Sequence, residues 1–119
     1  MKPILLIVDD EPRVLSALRR VLRKEGWDIH TAGSPQEALK LLDEYDVDAV
    51  LSDHKMPGMS GLQVLAEVAR RRPGAARLLV SGWPEAVARS ELDALGVQAL
   101  IPKPWDDEDL KAELRRALS

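Results

Sequence analysis

Five short apolar runs recur along the chain, at residues 3–9, 27–32, 47–53, 77–81 and 97–101, each followed by an amphipathic stretch. Each run is short, apolar and bounded by charge or turn residues, which suits central strands of a buried parallel sheet. Strand–helix alternation with short connections requires parallel strands joined by right-handed crossovers. The intervening stretches are helical by spacing. Val14, Leu15, Leu18, Val21 and Leu22 share one face, and Gly26 ends that helix. Ser34-Pro35-Gln36-Glu37 is a capping box with Pro at the first helical position, and Ala38, Leu39 and Leu42 follow on one face. Ser60 caps a third helix carrying Leu62, Leu65, Val68 and Ala69, which stops at Pro73-Gly74. A fourth helix is expected over about 84–95, with Ala86, Val87, Leu92 and Leu95 spread over a broad face. The last spans about 107–118 and carries Leu110, Leu114, Ala117 and Leu118.

Such a fold needs one core, and the composition restricts what fills it. The chain has 119 residues, enough for one domain over 1–119 that buries roughly two thirds of its unfolded surface. Phe is absent and the aromatics are Trp27, Tyr45, Trp83 and Trp105, so Leu, Val, Ile and Ala must form the interior. Cys is absent, which excludes a disulfide framework, a thiolate metal site and a Cys nucleophile. The net charge of −3 argues against general nucleic-acid binding. Two basic clusters, Arg19, Arg20, Arg23 and Lys24, and Arg70-Arg71-Arg72, read as solvated helix faces and helix C-termini favoured by the macrodipole. No run approaches the ~20 apolar residues of a membrane span. The chain opens directly on a strand without a charged-then-apolar leader, so a cytoplasmic location is expected.

In open parallel sheets, ligands bind outside the carboxyl ends of the strands. Asp9-Asp10 end the first run, Asp53 the third and Ser81 the fourth, and Lys103 stands just beyond the fifth. All therefore converge on one sheet edge. Two carboxylates ~4 Å apart repel by on the order of 4 kcal/mol at an effective dielectric of ~20. A divalent cation removes that cost, and an all-oxygen site suits Mg²⁺, which keeps several waters and open positions for phosphate oxygens. For Asp9-Asp10 alone, helix N-capping is the competing reading, because Pro12 follows and Asp10 or Glu11 suits that role. The acid at the end of a second strand favours a metal. Lys103 adds a point charge and Ser81 a hydroxyl donor. A carboxylate nucleophile, a metal, a charge clamp and a hydroxyl are the requirements of phosphoryl transfer.

Taken in order on their elements, these motifs resemble the receiver domain of two-component response regulators, of the chemotaxis-regulator type. Asp9-Asp10 matches the metal-binding acidic pair. Asp53-His54-Lys55-Met56-Pro57-Gly58-Met59-Ser60-Gly61 matches the phosphoacceptor motif, an aspartate followed by Met-Pro and then Gly. Ser81-Gly82 matches the switch hydroxyl and its small neighbour, and Lys103-Pro104 the Lys-Pro pair. The resemblance implies an α/β, flavodoxin-like, doubly wound five-stranded parallel sheet of order 2-1-3-4-5 with five helices. It implies that Asp53 accepts a phosphoryl group from the phosphohistidine of a histidine kinase or phosphotransfer protein. Mg²⁺ would be held by Asp10, Asp53 and the backbone carbonyl of Lys55, with Asp9 assisting directly or through water. Ser81 and Lys103 would contact the phosphoryl oxygens, and the Lys103–Pro104 bond is expected to be cis. Such a domain is a signalling switch, not a metabolic enzyme, and it acts on a fused output domain or a separate target protein. A homodimer through the fourth and fifth helices is compatible with the chain. Direct contact with nucleic acid or membrane is not expected.

The chain departs from the family pattern in strand five. Receivers often carry Tyr or Phe three residues before the lysine, where this chain has Leu100. Trp83 and Trp105 are candidates for aromatic contact area on that side, with partial burial against helix ends as the alternative. Lys55 and Trp83 each lie two residues beyond a site residue, at positions that the resemblance implies border the path of the attacking water, and their bulk is expected to lengthen the life of an acyl phosphate. His54 reads as an exposed neighbour of the site, and it and His30 do not make a zinc site. An aspartate phosphatase of the haloacid dehalogenase kind would want Asp-x-Asp after strand one, where this chain has adjacent acids. An interaction module that had lost phosphorylation would not need Asp53 and Lys103. Flavin binding would need a Ser/Thr/Gly-rich loop where Asp-Asp-Glu-Pro stands.

Overall fold

The computed structural model describes residues 2–119. Five strands and five α-helices alternate along them: β1 (Ile4–Val8), α1 (Pro12–Leu22), β2 (Asp28–Ala32), α2 (Pro35–Glu44), β3 (Ala49–Asp53), α3 (Gly61–Arg71), β4 (Ala76–Ser81), α4 (Arg89–Ala94), β5 (Val97–Pro102) and α5 (Asp107–Leu118). The strands pair in parallel in the order β2-β1-β3-β4-β5. This is the flavodoxin-like arrangement, whose order reverses between β1 and β3.

Side chains alternate across a strand, so one strand feeds both faces of the sheet. Leu5 and Ile7 join Leu18 and Leu22 of α1 and Leu110 and Leu114 of α5 on one side. Leu6 and Val8 join Ala38 and Leu42 of α2, Val64 and Val68 of α3 and Leu92 of α4 on the other. The interior is aliphatic, as the lack of Phe required. Each fully buried Leu contributes roughly 1.5–3 kcal/mol relative to an exposed one, which anchors the strands whose ends carry the polar groups.

Local signals place the helix ends. Gly26 closes the turn after α1 at φ 84°, a conformation that costs a residue with a Cβ. Ser60 makes a full capping box: its Oγ accepts the Gln63 N–H at 3.2 Å, and Gln63 Oε1 accepts the Ser60 N–H at 2.8 Å. At α2 the box is offset. Ser34 Oγ accepts the Glu37 N–H, but the Glu37 carboxylate takes the N–H of Gly33 rather than that of Ser34.

Two expectations require correction. The fourth helix is not continuous over 84–95: a 3-10 turn spans Pro84–Ala86, Val87 and Ala88 are extended, and α4 has six residues. In one continuous helix, Val87 and Leu92 would point roughly 140° apart. Breaking the helix lets both enter the same core cluster. The arginines 71 and 72 are not a merely solvated face. Arg71 pairs with Asp43 at 2.9 Å and Glu67 at 3.1 Å, and Arg72 donates to Asp46 and to the Leu42 carbonyl, tying the end of α3 to α2. Arg19, Arg20, Arg23 and Lys24 are exposed, as expected.

The start of α3 bears directly on β3. The Gly61 N–H donates to the His54 carbonyl at 2.7 Å, closing the loop after Asp53. A Cβ at Gly61 would collide with the Asp53 backbone carbonyl and stand 2.9 Å from Leu79 Cδ1. The backbone oxygen cannot give way without moving the strand end. Gly61→Ala is therefore expected to cost about 3 kcal/mol in chemical denaturation, the upper end for overpacking. Denaturation midpoints equal to wild type would show that the loop accommodates the methyl group.

Candidate functional site at the carboxyl edge of the sheet

Neighbouring parallel strands in register bring their ends together. Val8 of β1 is level with Ser52 of β3, so Asp9 and Asp53 emerge side by side. The carboxylates of Asp9, Asp10 and Asp53 each offer an oxygen within 4.8 Å of the others. Asp9 is 3% exposed, Asp53 half-buried and Asp10 exposed. Asp9 Oδ1 accepts the Glu11 N–H at 2.9 Å, just before Pro12 begins α1. Neither Asp10 nor Glu11 caps that helix through its side chain, so the capping alternative does not account for Asp10.

Lys103 spans the pair. Its Nζ donates to Asp53 Oδ1 at 3.0 Å and to Asp9 Oδ2 at 3.2 Å. The Lys103 N–H donates to the Ser81 carbonyl at 2.9 Å, and the following Lys103–Pro104 bond is cis. Burial opposes the ammonium charge, but the hydrogen bond to Asp53 and the field of Asp9 outweigh it and raise the Lys103 pKa. No buried side-chain polar atom among the described residues lacks a partner. Asp53 Oδ2 accepts no hydrogen bond from them, so it is open to solvent.

Ser81 is 1% exposed at the end of β4. Its Oγ accepts the Trp83 N–H at 3.1 Å and lies 3.1 Å from His54 Nδ1. A cavity of about 290 Å³ opens beside these groups, lined by Asp53, Lys55, Ser81, Trp83 and Lys103 among others. The edge thus gathers every group expected there, with Lys55 in the turn after β3. It also draws in His54. His54 is half-buried and reaches across to Ser81, whereas it was expected to be an exposed bystander. Its adjacency to Asp53 was the sole hint, and only the β3–β4 pairing reveals its reach: the His54 N–H donates to the Val80 carbonyl at 2.9 Å.

The other singled-out aromatics and histidine separate. Trp83 is 65% exposed, not partly buried against a helix end. Trp105 packs against the core on the α1–α5 side and donates its indole N–H to Asp107 at 3.0 Å. Leu100 packs toward the opposite cluster, with Leu92. His30 contacts Asp28 at 3.3 Å and the Tyr45 ring, outside the acid cluster.

Three carboxylates against one ammonium leave the site short of positive charge. Burial, then the neighbouring Asp53 charge, hold the Asp9 pKa above the usual carboxylate range despite Lys103. The donor set, all carboxylate oxygen and partly exposed, fits a hard divalent cation. The raised pKa also fixes a sign: ionised Asp9 costs stability at neutral pH, and the cost disappears as pH falls through its folded value. In Mg²⁺-free buffer, Asp9→Asn is expected to unfold at higher temperature than wild type at neutral pH, by on the order of 4 °C. The Asn oxygen keeps the Glu11 contact, and the gap narrows as the pH is lowered. A lower melting temperature for the variant at pH 7 would contradict the repulsion argument.

The response regulator receiver domain model matches residues 5–115. The hydrogenase transcriptional regulatory protein HoxA of Bradyrhizobium diazoefficiens is 36% identical over 115 residues, which span 96% of this chain but 24% of that protein. The signal receiver domain of an HD domain-containing protein from Pseudomonas fluorescens Pf-5 superposes with a TM-score of 0.93 at 31% identity, covering 99% of this chain and 95% of that one. The response regulator TrrA of Thermotoga maritima, solved with Mg²⁺ and BeF, gives a TM-score of 0.87 at 33% identity, covering 99% and 100%. The match runs from β1 into α5 and takes in every strand end described above, and the chain belongs to the response regulator receiver domain family.

Proposed function

We propose that Asp53 is the phosphoacceptor of this receiver, charged by the phosphohistidine of a histidine kinase or phosphotransfer protein. The observation that carries the reading is the Lys103 ammonium held between Asp53 and Asp9, beside an Asp53 Oδ2 left open. That free oxygen attacks phosphorus, the P–N bond of the donor breaks, and the imidazole leaves. Lys103, protonated at neutral pH, neutralises charge on the transferring group and keeps Asp53 oriented. The Ser81 hydroxyl, at the end of the neighbouring strand, donates to a phosphoryl oxygen once the group is in place. Asp10, Asp53 and the Lys55 carbonyl would hold Mg²⁺, with Asp9 directly or through water, and the ion would supply the remaining positive charge. Output then passes to a fused domain or a separate target, in the cytoplasm, without a contact of this domain with nucleic acid. A homodimer through α4 and α5 remains compatible with the exposed α4.

Lys55 and Trp83 face the same cavity from the turns after β3 and β4. An exposed indole and a long cation there crowd the line along which water would attack the acyl phosphate.

Incubation with acetyl phosphate or phosphoramidate and Mg²⁺ is expected to add one phosphoryl group by intact mass, and chelation of Mg²⁺ to prevent it. No addition on wild type, or equal addition on Asp53→Ala, would overturn the assignment. Once labelled, the protein should lose its phosphoryl group several-fold faster in Lys55→Ala and Trp83→Ala. Unaltered decay in both would remove their shielding role.

A further inference from the structure

His54 takes no part in the chemistry proposed for Asp53, yet it is the side chain in contact with the Ser81 hydroxyl. A serine hydroxyl has one proton to give and two lone pairs. One lone pair takes the Trp83 N–H at 3.1 Å, and the His54 Nδ1, also at 3.1 Å, sits where the proton can go. With Ser81 1% exposed, water does not compete for that proton. With the imidazole proton on Nε2, Nδ1 accepts from Ser81 and the hydroxyl is engaged on both sides before any phosphoryl group arrives. It cannot donate to a phosphoryl oxygen on Asp53 while its proton is committed to His54.

We propose that His54 is a positioning residue that parks the Ser81 hydroxyl in the unphosphorylated protein, so that engagement of the phosphoryl group must first break the His54–Ser81 hydrogen bond. The proposal rests on the reading of Asp53 as phosphoacceptor and Ser81 as its hydroxyl donor. The geometry gives the latch a definite place in the fold. His54 is fixed at the backbone by its N–H to Val80 and its carbonyl to Gly61, so the ring hangs from a point tied to both β4 and α3. Ser81 is fixed by its carbonyl to Lys103 and can move mainly by rotating its side chain. His54, Ser81, Asp53 and Lys103 line one cavity, and rotation of the hydroxyl within it from the ring toward Asp53 releases the ring and, with it, the Trp83 N–H. The same rotation thus links phosphoryl capture to the start of the 82–88 loop. A ligand shifts such an equilibrium only by its differential affinity for the two states, so part of the phosphoryl group's binding free energy is spent on opening the latch.

The test uses beryllofluoride with Mg²⁺ as the phosphoryl analogue and the full chain. Removing the latch with His54→Leu is expected to tighten beryllofluoride binding roughly 2- to 10-fold, the worth of one net hydrogen bond. His54→Asn, whose amide can stand near the Nδ1 position, is expected to restore wild-type affinity. In a Ser81→Ala background, His54→Leu should change nothing. Should His54→Leu fail to fold, His54→Gln, whose amide lies one methylene beyond that position, takes its place. Unchanged or weaker binding in the latch-free variant, or the same gain without the Ser81 hydroxyl, overturns the proposal. Amide hydrogen exchange of Trp83 in metal-free protein tests the latch apart from the phosphoacceptor reading. Faster exchange in His54→Leu and wild-type exchange in His54→Asn are expected, and equal exchange in all three refutes the latch. Failure of wild type to bind beryllofluoride at all would instead strike at the role of Asp53.

Discussion

The Lys103 ammonium between Asp9 and Asp53 is the interaction on which the rest of the molecule turns. It joins the loop after β5 to the ends of β1 and β3, residues 94 and 50 positions away in sequence. None of these groups would tolerate its position alone. Burial alone disfavours both charges, pushing the Asp9 pKa up and the Lys103 pKa down, and each is opposed by the other's field. The parallel sheet makes the arrangement affordable. Its hydrophobic faces fix where each strand stops, so the charges meet without a long side chain having to search for its partner.

The same arrangement is deliberately incomplete in charge. One ammonium does not balance three carboxylates, and burial, then the Asp53 charge, hold the Asp9 pKa up despite it. A fully balanced edge would be more stable but would have no affinity to spend on a cation or a phosphoryl group. Stability is held instead in the aliphatic layers below, where Leu5, Leu6, Leu51, Leu78 and Leu79 are essentially inaccessible to solvent. Destabilised edge and rigid floor are two parts of one design, and the close fit of Gly61 against the Asp53 carbonyl shows how little slack separates them.

Most of the fold was legible because its signals are local. Runs such as Ile4–Val8 and Ala49–Asp53 announce buried strands, and Ser60 with Gln63 announces a helix start. The convergence of Asp9, Asp53, Ser81 and Lys103 followed from one rule about parallel sheets, without the need for coordinates. What escaped depends on partners distant in sequence. The break before α4 is set by a shared pocket for Val87 and Leu92, which no helical periodicity records. Arg71 finds Asp43 on another helix, and Arg72 finds Asp46 in the loop that follows it. His54 acquires a role only because β3 and β4 are neighbours, and that adjacency is a property of the strand order.

The readout of the switch follows from how unevenly the molecule is held. The segment from Gly82 to Ala94 inserts only Val87 and Leu92 into the core, while α3 alone inserts Val64, Leu65 and Val68. Segments with few buried contacts open at lowest free energy, so under the proposed function a displacement of Ser81 would move this loop first. Receivers with an aromatic in strand five can couple that loop to a ring that turns inward. Leu100 has no such ring, but it already packs toward the cluster that contains Val87 and Leu92. Under the same proposal a shift of the loop would reach β5 by repacking of aliphatic side chains rather than by rotation of an aromatic. Trp83, 65% exposed at the head of the same loop, is the large surface that such a shift would move.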